Sequence, residues 1–377
     1  MYSRIAKYPK NKSFFLFGPR GTGKSSWCRN TFPSALYLDL LESELYTQLL
    51  ANPSRLEQLI PPGFSDWVIL DEVQKIPALL DEVHRLIEKK KLRFILTGSS
   101  ARKLRRQGVN LLAGRALTLH MFPLTVAELG KNFDLARSLK FGMLPEACTS
   151  DQPKEYLQAY LKTYLKEEIQ QEGFTRNLGA FARFLESAAF SQGQVLNISS
   201  VARDCGVDRK VVEEYFSILD DLMIGVRLPV FLKRAKRRMV AHPKFYFFDL
   251  GVYKTIRPKG PLDSAEDLDG PALETLVLQE LRALNSYLGW DYEIHSWRTH
   301  SKLEVDFVLY GERGLRAIEV KRSDRVREED LAGLKALLED YPSAQGYFVY
   351  GGSRTLYRER LTILPVDEFL RTEIHKF

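Results

Sequence analysis

Eight residues, GPRGTGKS from Gly18 to Ser25, constrain this chain more than any other stretch. They follow an apolar run, Phe14-Phe15-Leu16-Phe17, and precede Ser26 to Asn30, which contain neither Gly nor Pro. Strand, glycine loop and helix in that order are what a phosphate loop requires. Gly18, Gly21 and Gly23 have no Cβ, so the backbone can turn tightly and aim successive N–H groups at one anion. The N-terminus of the following helix adds a partial positive charge. Pro19, Arg20, Thr22 and Ser26 complete the phosphate-facing segment. Lys24 is placed to reach the β- and γ-phosphates, and the Ser25 hydroxyl to ligate Mg²⁺.

The acidic partner of such a loop comes about fifty residues later. Trp67-Val68-Ile69-Leu70-Asp71-Glu72 reads as a strand buried on both faces that ends in two carboxylates. Asp71 would hold Mg²⁺, and Glu72 would polarise the attacking water. Pro77 to Lys90 reads as a helix with Leu79, Leu80, Val83, Leu86 and Ile87 on one face. Arg93 to Ser100, RFILTGSS, gives a further buried strand ending in hydroxyls, of which Thr97 or Ser99 is the candidate sensor of the γ-phosphate. Arg115 follows a basic stretch (Arg102, Lys103, Arg105, Arg106) and is a candidate arginine finger for its own or a neighbouring subunit; an exposed surface arginine is the competing reading. Ala35 to Leu40 and Leu117 to Phe122 supply two more strands. The alternation predicts an α/β domain with a mainly parallel sheet and nucleotide at the strands' carboxyl ends.

GPRGTGKS, WVILDE, FILTGSS, LLAGR and MFPLTVAEL, in this order, resemble an AAA+-type ATPase. More narrowly, the chain is similar to prokaryotic two-domain ATPases with an uncharacterised C-terminal domain. FGMLPEA, Phe141 to Ala147, fits the same pattern, with Phe141-Gly142 where the family more often has two glycines. The resemblance implies ATP and Mg²⁺ as cofactors and is compatible with a homo-oligomer, since AAA+-like sites often lie between subunits.

At 377 residues, two or three domains are expected. We divide the chain into an ATPase domain (1–147), a helical and winged-helix region (148–249) and a C-terminal α/β domain (250–377). The net charge of +7 fits an anionic partner, with DNA the leading candidate. Cys28, Cys148 and Cys205 are far apart and form neither a disulfide framework nor a zinc pattern. No run approaches ~18 apolar residues and no apolar leader is seen, so a soluble, cytoplasmic protein without membrane contact is expected.

In the middle region, Tyr156 to Glu172 reads as a long amphipathic helix. Ile198 to Cys205, a turn at Gly206 and a helix from Arg209 to Met223 match a helix-turn-helix. Val226 to Phe231 and Lys244 to Phe248 would pair as a wing around Lys233, Arg234, Lys236, Arg237 and Arg238. That basic tip would neutralise several DNA phosphates; a solvated wing on a structural module is the alternative.

The last domain opens with an acidic link, Asp263 to Gly270, and a helix from Pro271 to Leu288. Leu303 to Tyr310 and Leu315 to Lys321 then alternate strictly and read as a hairpin turning at Glu312-Arg313. Symmetry about that turn sets Phe307 opposite Ile318 and Asp306 opposite Glu319. One face is apolar; the other gathers Glu304, Asp306, Glu319 and Lys321. Carboxylates roughly 5 Å apart repel unless a cation lies between them. A divalent-metal site answers that need; a solvated face with Glu304 paired to Lys321 answers it equally well. Asp306, twelve residues, then Glu319-Val320-Lys321 resembles the PD-(D/E)XK nuclease core. The resemblance implies a restriction-endonuclease-like fold, a metal held by Asp306, Glu319 and a helix glutamate (Glu274 or Glu280), and Lys321 acting on the phosphodiester or water. Three functions follow: an ATPase acting on DNA with an active nuclease module, a DNA-binding ATPase that does not cleave, or a nucleotide-controlled scaffold contacting proteins.

Overall fold

The structure, a computed structural model, describes residues 2–100, 104, 112, 114–165, 177–260 and 265–377. The chain forms two compact units. One comprises Arg4–Pro123 with Asp221–Met223; the other comprises Met1–Ser3, Leu124–Asp220 and Ile224–Phe377.

The first unit is built on five parallel strands: β1 (Ser13–Phe17), β2 (Leu36–Asp39), β3 (Trp67–Asp71), β4 (Arg93–Gly98) and β5 (Ala116–His120). Their order in the sheet is β2-β3-β4-β1-β5. β1 and β3 are buried at every residue, as strands covered on both faces must be. Helices α1 (Lys24–Thr31), α2 (Ser43–Ala51) and α3 (Leu79–Lys90) accompany the sheet. α3 buries Leu79, Leu80, Val83 and Leu86, the stripe its spacing predicts. These join Phe15, Phe17, Val68, Leu70, Phe94 and Leu96 in one core, while Phe14, Leu16, Trp27, Trp67 and Ile95 fill a second. The basic stretch Arg102, Lys103, Arg105 and Arg106 lies outside the described residues.

The second unit begins with α4 (Val126–Leu129), α5 (Leu135–Phe141), α6 (Pro145–Thr149), α7 (Pro153–Ala159) and α8 (Leu178–Phe190). The helix expected from Tyr156 passes into a π-helical turn at Tyr160–Leu165; residues 166–176 lie outside the described set. α9 (Ile198–Cys205) and α10 (Arg209–Asp221) flank Gly206, whose φ of 66° closes the turn. A three-stranded sheet, β6 (Gln194–Val195), β7 (Gly225–Leu228) and β8 (Lys244–Phe247), has order β6-β8-β7, with β7 and β8 antiparallel as expected.

After α11 (Leu250–Ile256) comes α12 (Ala265–Leu288), which starts before the expected Pro271 and carries that proline inside it. Residues 265–270 are therefore helix, not link; 261–264 lie outside the described residues. The remaining strands are β9 (Glu293–Arg298), β10 (Glu304–Gly311), β11 (Gly314–Lys321), β12 (Gln345–Tyr350), β13 (Leu356–Arg358) and β14 (Leu361–Pro365), in the order β13-β14-β12-β11-β10-β9. α13 (Ala332–Asp340) packs on β10, β11 and β12, α12 packs on β11, and α14 (Val366–Arg371) closes the chain. The β10–β11 register, Phe307 to Ile318 and Tyr310 to Leu315, is the expected one. Yet residues 305–309 are all buried, so over that stretch neither face of β10 is open to water.

Candidate functional site

The glycine loop joins β1 to α1. Gly21 and Gly23 have φ of 78° and 87°, where a side chain would be strained. Gly18 is needed for space instead: a Cβ there would stand 2.3 Å from the Met121 carbonyl oxygen. Lys24 is buried, and its ammonium donates to the Gly18 and Pro19 carbonyls at 2.7 and 3.2 Å. Thr22 donates to the Pro19 carbonyl at 2.7 Å. Arg4, which the sequence did not single out, donates to the Thr22 carbonyl at 2.9 Å and the Phe122 carbonyl at 2.6 Å, tying the loop to the segment after β5. Arg20 in the loop and Ser26 in α1 are exposed.

β4 lies between β3 and β1, so the acidic pair, the hydroxyl-ended strand and the loop leave the sheet at one edge. Asp71 accepts from Thr97 on one oxygen and from Tyr37 on the other. Burial, and then the Asp71 contact, raise the Tyr37 pKa. Glu72 sits in the left-handed region, φ 60° and ψ 46°, a conformation uncommon outside glycine. Its N–H donates to Thr97 Oγ1 at 3.2 Å. Gln74, only 5% exposed, donates its Nε2 to the Glu72 carboxylate and, at 3.3 Å, to Ser99 Oγ. Thr97 thus bonds both carboxylate residues, and Ser99 is joined to Glu72 through Gln74. Sequence reading missed Tyr37 and Gln74: the first looks like ordinary strand filling, the second like an ordinary turn.

Arg115 departs from the expectation. It precedes β5, and parallel pairing sets Ala116 beside Ser13, at the strand end opposite the loop. Five residues of strand, ~17 Å, separate it from the loop of its own sheet. Its guanidinium pairs with Glu88 near the end of α3. Action on its own nucleotide is therefore not met; action on another copy is the form of that reading left.

The C-terminal candidates come together, with an addition. Asp306 and Glu319 are 1% and 3% exposed. The β10–β11 ladder stops at Phe307 and Ile318; beyond it the carboxylates accept the backbone donors. Asp306 Oδ2 accepts from the Val320 N–H at 3.0 Å, and Glu319 Oε2 from the Asp306 N–H at 3.2 Å. Lys321 pairs with Glu319 at 2.5 Å, whereas Glu304 pairs with Arg298 at 3.5 Å. The solvated Glu304–Lys321 pair is thereby corrected: the cluster is buried, and buried charges must pair closely. Lys244, from β8, adds an ammonium 2.8 Å from Asp306 and 4.0 Å from Glu274. Tyr246 donates to Glu274 Oε2 at 2.8 Å. The charged residue in the apolar run Lys244 to Phe248 was the available sequence signal.

These groups titrate abnormally. Burial and the Asp306 charge push Glu319 well up and Glu274 to about 7. Asp306 is held low despite burial by Lys244 and Lys321. Burial pulls Lys244 down, but Asp306 and neighbouring charges outweigh it and hold the ammonium well above its ordinary value. Glu280, the other glutamate considered, is elsewhere: it accepts from the Val126 N–H at 2.7 Å. Among the described residues, no three His, Cys, Asp or Glu side chains are grouped so as to hold a metal ion.

The basic segment is not a free wing tip. Between β7 and β8 the chain lies along β9: the Phe231 N–H donates to the Ser296 carbonyl, and the Val240 N–H to the Arg298 carbonyl. The reason is physical, since β9 is an edge strand whose backbone groups need partners. Lys233 pairs with Glu293 at 2.6 Å, and Arg237 with Asp340 and Glu339 at 2.7 and 2.9 Å. Arg234, Lys236 and Arg238 are exposed. No helix among the described residues is long and apolar enough to cross a membrane.

Residues 10–130 match the family described as AAA domain. Residues 132–263 and 269–369 match two families described as domains of unknown function (DUF8612 and DUF4143). An uncharacterized protein of Mycobacterium tuberculosis is 26% identical over 368 residues, 95% of this chain and 80% of the relative. An uncharacterized protein of Haemophilus influenzae is 21% identical over 297 residues, 74% of this chain and 70% of its own. The Aeropyrum pernix ORC1 protein, solved in complex with DNA, aligns at a TM-score of 0.26 and 14% identity, covering 66% of this chain and 87% of that one. A score so low carries no argument. The AAA match coincides with the loop, the acidic pair and the parallel sheet, and supports an ATPase in the first unit.

Proposed function

We propose that the first unit binds ATP with Mg²⁺ on the Gly18–Ser25 loop and hydrolyses it. The observation that carries this reading is the adjacency of β3, β4 and β1, with Asp71, Glu72, Thr97 and the loop at one edge of the sheet. The donor set fits the group: the Ser25 hydroxyl and the Asp71 carboxylate are hard oxygen ligands, which suit Mg²⁺. When bound, Mg-ATP supplies an electrophilic γ-phosphorus and a leaving group. Lys24 turns from the loop carbonyls to the phosphates. Glu72 accepts the proton of the attacking water, held in place by Gln74. Steady-state phosphate release with Mg²⁺ tests this. Glu72→Gln should keep ATP binding and lose turnover; undiminished turnover in that variant would contradict the role.

The second unit, in this reading, contacts DNA without cleaving it. The supporting observation is the set of exposed cations Arg234, Lys236 and Arg238 on one segment. Duplex DNA added to the assay should raise ATP turnover. A scaffold that binds only proteins would show no response.

A further inference from the structure

The nuclease resemblance calls for a divalent ion at Glu274, Asp306 and Glu319. The side chains there do not leave the place for one. Lys244 Nζ lies 2.8 Å from Asp306 Oδ1 and 4.0 Å from Glu274 Oε2. It is thus set between carboxylates of β10 and α12, where an ion shared by both would bind. Three of the four other oxygens are also engaged, and Glu274 Oε2 has a second partner. Asp306 Oδ2 and Glu319 Oε2 accept backbone N–H groups, Glu319 Oε1 holds Lys321, and Glu274 Oε2 takes the Tyr246 hydroxyl.

The ammonium cannot simply step aside. β8 is buried at all four residues, and the Lys244 and Asp306 side chains are 4% and 2% exposed. A divalent ion would also meet the positive charge of Lys244 at close range in an interior that screens poorly. We propose that Lys244 is the resident cation of this acidic cluster, so that the C-terminal sheet takes no divalent metal there and replacing the lysine by a neutral residue opens a metal site. The cluster then serves as an ionic tie joining β8, α12 and the β10–β11 hairpin. This inference stands apart from the ATP site, and neither depends on the other.

The test is Mn²⁺ titration of the nucleotide-free full chain, followed by the electron paramagnetic resonance signal of free Mn²⁺. In the wild type, Asp306→Asn should leave Mn²⁺ uptake unchanged. Lys244→Met should gain about one Mn²⁺ per chain, lost again in Lys244→Met/Asp306→Asn, as expected when carboxylates lose their internal cation. Lys244→Arg should gain none. Wild-type uptake that Asp306→Asn abolishes would overturn the proposal, as would a folded Lys244→Met that gains nothing. Should Lys244→Met fail to fold, the comparison of wild type with Asp306→Asn decides alone. Dependence on Asp306 separates this site from any Mn²⁺ held at Asp71.

Discussion

Gln74 donates its side-chain amide to the Glu72 carboxylate, and the same nitrogen reaches Ser99 at the end of β4. A residue two positions past the acidic pair thereby fixes the proposed catalytic base and connects it to the strand beside the nucleotide loop. Gln74 is a positioning residue. Gln74→Leu keeps the volume and removes the donor. We expect turnover to fall about 10- to 100-fold, within the range for general-base contributions, with nucleotide affinity nearly unchanged. Gln74→Glu should not restore it, since it places a second carboxylate against Glu72. Equal losses in affinity and turnover would point to a merely structural role.

Gly18 and Met121 make a second relationship that can be tested. A Cβ on Gly18 would lie 2.3 Å from the Met121 carbonyl oxygen, and that backbone is pinned by the Met121 N–H donating to Phe17 at 2.7 Å. Gly18→Ala must therefore displace the loop. We expect a loss of about 1–3 kcal/mol in stability, typical of overpacking, and nucleotide affinity reduced at least about tenfold. Thermal melting with and without ATP measures both.

The candidate nucleotide site could be assembled from the sequence because its residues are concentrated in short segments. The loop, Asp71-Glu72 and Thr97 each end a continuous apolar strand, and such strands read clearly. The hairpin register was legible for a similar reason: strict alternation about Gly311 to Gly314 leaves one pairing, and Phe307 does face Ile318. What stayed hidden is set by tertiary contact. Tyr37 looks like strand filling until its hydroxyl meets the Asp71 carboxylate. Lys244 looks like a surface residue until α12 and β10 close over it. Arg115 follows the right strand in sequence but stands at the wrong end of its neighbour, which only the parallel pairing reveals.

Glu280 predicts a pH dependence. It is fully buried; one oxygen takes the Val126 N–H, and Oε2 has no hydrogen-bond partner among the described residues. Burial, and then the Glu128 charge, push its pKa from 4.5 to about 8, against the Val126 hydrogen bond. The folded state thus holds this proton more tightly than the unfolded chain. Its contribution to stability is full below about 4.5 and is lost as pH rises through about 8. The slope in that window is at most about 1.4 kcal/mol per pH unit for one proton. Urea unfolding at pH 6 and pH 9 should show the wild type losing more stability than Glu280→Gln, whose amide oxygen keeps the Val126 bond. Parallel losses in the two proteins would refute the assignment.

The basic segment separates two kinds of arginine. Arg237 is spent on Asp340 and Glu339, and the Asp340 side chain is only 7% exposed. Arg237→Gln should lower the melting temperature, because it strands a buried carboxylate, and leave DNA affinity nearly unchanged. Arg234, Lys236 and Arg238 face solvent from the same segment, which β9 holds in place. Changing these three to Gln should weaken duplex binding regardless of sequence and flatten the dependence of log K on log salt by about 3 units. The melting temperature should stay within a degree or two, as for surface substitutions. Filter binding across a salt series and a thermal melt give both readouts. If the triple variant keeps the wild-type salt slope, the segment does not meet phosphates, and the protein-contacting reading of this unit takes its place.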